Sequence, residues 1–233
     1  MQAVSTAGTY HSEHAVGFYT TDGFFCDALS DYAGAALLEG GSAIVLATRS
    51  HLTQLEHALA GLGIDVRRSA DEGRYVALDA AQLLASIMVD GSPDRTSFRD
   101  ALVAVIERAA GRATPLRVYG ELAALPLAAG DDTSTLALED LWNELSETHC
   151  FELLCGYPAQ AFEGHDTETV QHVCDRHHAI VRPESYKLLT GVSDQARIVR
   201  ELRGEMAVLR SELEQLRAHQ DNLVALALSL IHI

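Results

Sequence analysis

The stretch that most constrains this chain is residues 40–51, GGSAIVLATRSH. Residues 43–48, an unbroken apolar run that ends in Thr48, bounded by Gly40-Gly41 on one side and polar residues on the other, read as a buried central strand. It delivers its end to a helix expected to start with Ser50 as its cap. In an open α/β sheet, ligands bind in the crevice outside the carboxyl ends of the strands, so residues 48–51 largely decide the biochemistry. A loop that cradles phosphate needs glycines there, followed by Lys and Ser or Thr, so that backbone N–H groups can wrap the anion. Thr48-Arg49-Ser50-His51 has no glycine and no Lys-Ser/Thr pair. The chain therefore carries the strand and helix of a nucleotide-binding core without its phosphate loop, and a sensing or binding role is expected.

Composition narrows the classes further. With 233 residues and 48% hydrophobic content, one sizeable core plus an appendage is expected. The 33 acidic and 17 basic residues give a formal charge of -16, which repels nucleic-acid phosphate and argues against direct DNA binding. Cys26, Cys150, Cys155 and Cys174 form no CxxC pair, and residues 1–12 have no signal-peptide run, so a reducing cytoplasm with free thiols is expected. No apolar stretch reaches the roughly 20 residues that span a bilayer.

Along the chain, residues 1–13 read as a flexible arm. Strands are expected at residues 14–19, 43–48, 64–67, 75–78, 116–120 and 151–155. Helices alternate with them: one ends at Gly40-Gly41, one carries Leu52, Leu55, Leu59 and Leu62, and one follows the capping pattern Asp79-Ala-Ala-Gln82. Another starts at Ser92-Pro93, another carries Leu138, Leu141, Trp142 and Leu145, and a last spans residues 167–178. Strands alternating with helices at this spacing imply right-handed crossovers and a mainly parallel sheet, so residues 14–186 are expected to form one three-layer α/β domain.

From about Ser193 the pattern becomes heptad. Leu202, Leu209, Leu216, Leu223 and Leu230 form a d series, with Val199, Met206, Leu213, Gln220 and Ala227 at a. Glu205 and Glu212 fall at g and Arg203, Arg210 and Arg217 at e, so each g glutamate can meet the partner's following e arginine. A long coiled-coil dimerisation helix is expected over residues 193–231, its seam made by Val199, Leu202, Met206, Leu209, Leu213, Leu216, Gln220 and Leu223. The competing reading is an amphipathic helix folded back on its own domain, but such a helix needs no opposite charges on both flanks of its seam.

Polar residues gather where this fold makes its crevice. His14 and Tyr19 lie on the first strand, Arg49 and His51 follow the central one, Glu121 follows the third, and Cys155 and Tyr157 close the last. His177 and His178 end the final helix, with Cys174 one turn earlier. The ligand-binding set expected is His14, Tyr19, Arg49, His51, Glu121, Cys155, Tyr157 and His178. Cys, His and Glu are the usual ligands of a metal, but these spacings match no zinc motif, so no metal and no cofactor are assigned. Cys155 with His178 as a thiol and its base is the weaker reading, because a cysteine that ends a strand is usually a small buried hydrophobe. GxSxG, HExxH and an ordered Ser-His-Asp set are all missing, and no catalytic residue is assigned.

With these residues in hand, the chain resembles the MEDS family, a sensory domain of bacterial and archaeal regulators, including ones linked to dichloromethane and methanogen metabolism. The resemblance rests on His14 with Tyr19, the strand at residues 40–48, Leu59-x-x-Leu62-Gly63-Ile64-Asp65 followed by Gly73, and Arg117-Val118-Tyr119-Gly120-Glu121. It continues through Leu138-Glu139-x-x-Trp142-Asn143, Leu154-Cys155-Gly156-Tyr157 and a histidine at His177 or His178. It implies a RecA- or KaiC-like fold without a working phosphate loop, and a role in sensing small molecules such as hydrocarbon derivatives upstream of an output domain. No helix-turn-helix or kinase core is found beside the coil, so the output is either a separate protein bound through it or part of a longer chain.

The expected function is a cytoplasmic, homodimeric sensor in signal transduction or transcription regulation, which binds a small molecule in the strand-end crevice and signals through the coil. It is expected not to be an enzyme and to touch neither nucleic acid nor membrane directly. The alternative is a protein-binding module that sequesters a regulator, which a crevice filled by its own side chains would favour. A third reading, a degenerate nucleotide-dependent enzyme, requires ATP binding.

Overall fold

A computed structural model describes residues 13–111, 115–165 and 167–181. The coiled coil expected at residues 193–231, nearly all of the N-terminal arm and the end of the α/β domain after residue 181 lie outside the described residues.

The order of elements is β1 (His14–Tyr19), α1 (Asp22–Leu38), β2 (Ser42–Ala47), α2 (Arg49–Gly61), α3 (Val66–Asp71), β3 (Tyr75–Asp79) and α4 (Ala80–Ile87). Then come β4 (Met88–Val89), β5 (Ser92–Pro93), α5 (Arg95–Ala110), β6 (Leu116–Gly120), α6 (Ala124–Ala128) and α7 (Asp132–Thr148). The last described elements are β7 (Glu152–Pro158), a short 3-10 turn (Ala159–Phe162), α8 (Thr167–Asp175) and β8 (Ala179–Val181). The main sheet is six-stranded in the order β3-β2-β6-β7-β1-β8, and every pairing in it is parallel.

Central strand β2 explains the three layers. All six of its residues are buried, and successive side chains enter opposite faces. Ile44 and Leu46 join a core with Ile87, Phe98, Leu102, Leu138 and Trp142, which is the side of α4, α5 and α7. Ala43, Val45 and Ala47 join the other core, with Leu29, Ala33, Leu55 and Leu59 from α1 and α2. Trp142 anchors the first core, with its ring edge-on to Phe98 at 5.1 Å. Helix α1 is closed by Gly40 at φ 83, and the N–H groups of Gly40 and Gly41 return to the carbonyls of Leu37 and Ala36.

The connections set the site. From β2 the chain crosses to β3 on one flank through α2 and α3, while from β6 it crosses to β7 on the other flank through α6 and α7. Since β2 and β6 are neighbours, their carboxyl ends form the topological switch point, where an open sheet parts to leave a crevice.

Several local expectations are corrected. Helix α2 is capped by Thr48, whose hydroxyl accepts from the His51 N–H, so Ser50 already lies inside the helix. Residues 64–67 do not form an edge strand, because the Asp65 carboxylate caps α3. Ser92-Pro93 pairs antiparallel with Met88-Val89 around Asp90-Gly91, both at positive φ, the backbone a two-residue hairpin requires. Asp94 then caps α5 in place of Ser92. Helix α8 stops at Asp175, because the chain turns to pair with β1: the His178 N–H donates to the His14 carbonyl, and β8 follows. Strand β7 runs on to Pro158, and α6 and β8 were not expected at all. No helix among the described residues is long and apolar enough to cross a membrane.

Candidate functional site

Two buried polar groups stand on opposite faces of the sheet. The first lies at the switch point. Glu121 follows β6 directly, and its N–H extends the ladder to the Leu46 carbonyl. Its Oε2 accepts from the Thr48 N–H at 2.9 Å, and its Oε1 accepts from the Tyr119 hydroxyl at 3.2 Å and faces His51 Nδ1 at 2.6 Å. The His51 ring lies edge-on to Tyr19 at 6.0 Å. Glu121 is 2% exposed, so this carboxylate sits almost dry at the start of α2, where free backbone N–H groups and the helix dipole favour an anion. The chain thus supplies its own anion at the position a phosphate would take.

The second group lies between the sheet and α7, where His14 from β1, Glu139 from α7, Cys155 from β7 and His177 from the end of α8 converge. All four are buried, and one ligand atom from each lies within 4.8 Å of the others. His14 Nε2 is 3.1 Å from Cys155 Sγ and 3.3 Å from Glu139 Oε2. His177 Nε2 is also 3.3 Å from Glu139 Oε2, and the Cys155 thiol is 3.5 Å from the same oxygen. Tyr157 donates a short hydrogen bond to the other carboxylate oxygen.

Outer partners fix both rings. His177 Nδ1 lies 2.7 Å from the Val173 carbonyl, which can only accept, so this nitrogen carries the hydrogen. Asn143 donates its amide N–H to the Arg176 carbonyl at 3.0 Å, which turns its oxygen toward His14 Nδ1 at 2.9 Å. That nitrogen is therefore a donor as well, and both Nε2 atoms point inward. Burial alone would raise the Glu139 carboxyl, but His177 and His14 outweigh it and hold the group well below the usual carboxylate range. Burial, reinforced by the Glu139 charge, pushes the Cys155 thiol and the Tyr157 phenol well up.

The expected ligand-binding set therefore divides. Tyr19, His51 and Glu121 come together at the switch point, and His14, Cys155 and Tyr157 in the interior group on the other face. Two residues belong to neither. The Arg49 side chain is 77% exposed and pairs with Asp79 at the end of β3. His178 is exposed, and its ring accepts from the His14 backbone N–H at 3.2 Å. Its neighbour His177 is the buried one: the chain leaves α8 through a turn, with the His177 N–H on the Cys174 carbonyl, that carries the His177 ring inward. An open groove lined by Glu56, Val66, Arg67, Ala70, Tyr75 and Ala77 takes in none of the expected residues.

Sequence reasoning missed Glu139 and Asn143 as site residues. A signal was present: Glu139 is flanked by Leu138, Leu141, Trp142 and Leu145, the apolar face of α7, and Asn143 lies one turn later on the same side. A carboxylate on a buried helix face needs partners, which here are histidines distant in sequence. The MEDS family description, MEthanogen/methylotroph, DcmR Sensory domain, matches residues 13–178, from the start of β1 to the end of the interior group. The chain belongs to the MEDS family. The MEDS match covers both polar groups and all of the main sheet except β8. No curated protein sequence matches the chain.

Proposed function

We propose that this MEDS domain works as the receiving part of a cytoplasmic signal-transduction or transcription-regulatory system, as a sensor of a small molecule and not as an enzyme. The ligand engages the switch point at Thr48, His51, Glu121 and Tyr19, and the signal leaves through a homodimeric coiled coil over residues 193–231 to a regulatory partner or output domain. In this reading the core is RecA- or KaiC-like and has given up its phosphate loop. The observation that carries it is the Glu121 carboxylate on the Thr48 N–H at the start of α2, which makes the place where a nucleotide phosphate would bind repel it. What remains is a polar ligand that can exchange hydrogen bonds with the His51–Glu121 pair. The Cys155 thiol, 2% exposed, offers no surface to a substrate, which supports a non-enzymatic role.

A second reading is favoured by one observation: the switch point is filled by its own side chains, with Glu121 2%, Tyr19 4% and His51 7% exposed. A domain that binds a regulator through its outer surface needs no open crevice. Native mass spectrometry of the full chain from its own host separates the two. A dimer carrying a small adduct that Glu121→Gln and His51→Ala lose and Arg49→Ala keeps supports the sensor. A dimer without adduct favours the protein-binding module, a monomer removes the coiled-coil route, and micromolar ATP binding overturns the loss of nucleotide function.

A further inference from the structure

We propose that His14, Glu139, Cys155 and His177 form a binding site for one Zn²⁺ ion buried between the sheet and α7. The inference is independent of how the switch point on the other face is read.

Donor chemistry comes first. Two imidazoles, one thiolate and one carboxylate are the mixed nitrogen, sulfur and oxygen set that suits zinc, and four protein ligands make a closed, tetrahedral site. Geometry agrees. With metal-ligand bonds of about 2.0–2.3 Å, neighbouring ligands of a tetrahedral ion stand about 3.3–3.8 Å apart. Four of the six separations, 3.1, 3.3, 3.3 and 3.5 Å, lie close to that range, and all six lie within 4.8 Å, so closing on one ion requires His177 to draw in toward His14 and Cys155 by up to about 1 Å.

Orientation is the stronger argument. With hydrogens on both Nδ1 atoms, each inward Nε2 faces a carboxylate oxygen, a contact that attracts only where a proton or a cation lies between. Three of the four ligands also have an outer partner of the kind that orients metal ligands: Asn143 for His14, the Val173 carbonyl for His177, and Tyr157 on the Glu139 oxygen that does not face the histidines. Charge balances too. The ion binds as Zn²⁺ while the Cys155 thiol releases its proton, and one thiolate with one carboxylate then cancels the two positive charges, which suits a site sealed from water.

The ligands are spread from residue 14 to residue 177, so the ion would clamp β1, α7, β7 and the turn into β8 together. Binding to the folded state alone stabilises it by mass action.

The test uses the full chain, expressed in zinc- or cobalt-supplemented medium and purified without chelator. Elemental analysis is expected to find about one zinc per chain, and the metal-loaded form to melt about 5 °C or more above the metal-free form. The cobalt form is expected to show the visible bands of a tetrahedral ion and a near-ultraviolet thiolate-to-cobalt band. Cys155→Ser should lose that band, while Cys150→Ser and Cys174→Ser keep it. His177→Ala should lower metal content about tenfold or more. If circular dichroism shows that a buried variant has not folded, the wild type decides alone. Folded wild-type protein that takes up neither metal, or binds cobalt without the thiolate band, overturns the site and leaves a protonated hydrogen-bond network. So does full metal content in folded Cys155→Ser.

Discussion

The hydroxyl of Tyr119 stands where a side chain at residue 156 would begin: a Cβ on Gly156 would lie 1.8 Å from that oxygen and 2.6 Å from the ring carbon that carries it. Tyr119 reaches Glu121 only by lying across β7 at its one glycine. Gly156→Ala should therefore push the ring aside and destabilise the fold by about 1–3 kcal/mol, the usual range for overpacking a core. Denaturant unfolding measures it. In a Tyr119→Leu background the added cost should shrink, and a full cost there would show that the strain arises elsewhere.

Tyr157→Phe keeps the ring and deletes the hydroxyl that donates to Glu139. Leaving a buried carboxylate oxygen short of a donor should cost about 1–3 kcal/mol in urea unfolding with an unchanged m-value. An unchanged midpoint would mean that Glu139 does not depend on Tyr157.

Glu121→Gln should separate the switch point from the surface. The neutral amide weakens the bonds to the Thr48 N–H and to His51, and a loss of about 1.5–3 kcal/mol is expected for hydrogen bonds to a charged group. Arg49→Ala removes an exposed arm and its pair with Asp79, and its unfolding midpoint should stay within error of wild type. A larger effect for Arg49 than for Glu121 would reverse the assignment of the crevice.

Acid should loosen helix starts first. The backbone N–H of Ser97, then its side chain, lowers the Asp94 carboxyl below its ordinary 3.8, and the backbone N–H of Gln82, aided by Arg49, does the same for Asp79. For depressed carboxyls the stabilising contribution is present above the unfolded value and is lost as pH falls through the lower folded one. Melting temperature should therefore decline below about pH 4, and Asp94→Asn, which keeps a capping oxygen without a titrating charge, should decline less. Thermal melts between pH 5 and pH 2.5 check the difference, and parallel curves would remove the Asp94 contribution.

Much of the fold was legible because its signals are local. The apolar run that became β2, the glycine stop at Gly40-Gly41, the Asp79 cap and the register of Leu138, Leu141, Trp142 and Leu145 all depend on residues within a few turns of each other. Where expectations failed, a competing local signal had been passed over: Asp90-Gly91 makes a hairpin out of Ser92-Pro93, and Asp65 starts a helix where a strand was expected. The site was legible only in its parts. His51 and Glu121 are separated by 70 residues and His14 and His177 by 163, so their meeting depends on strand order. By itself the sequence determined a parallel α/β core, the absence of a phosphate loop at residues 48–51 and the residue types available for polar chemistry. Only the tertiary structure decided that the expected site divides across the two faces of the sheet, that Glu121 occupies the anion position, and that His177 turns inward while His178 does not. The reason is physical: alternation along a strand assigns each side chain to a face, but which distant residue waits on that face is set by crossovers that no local pattern encodes.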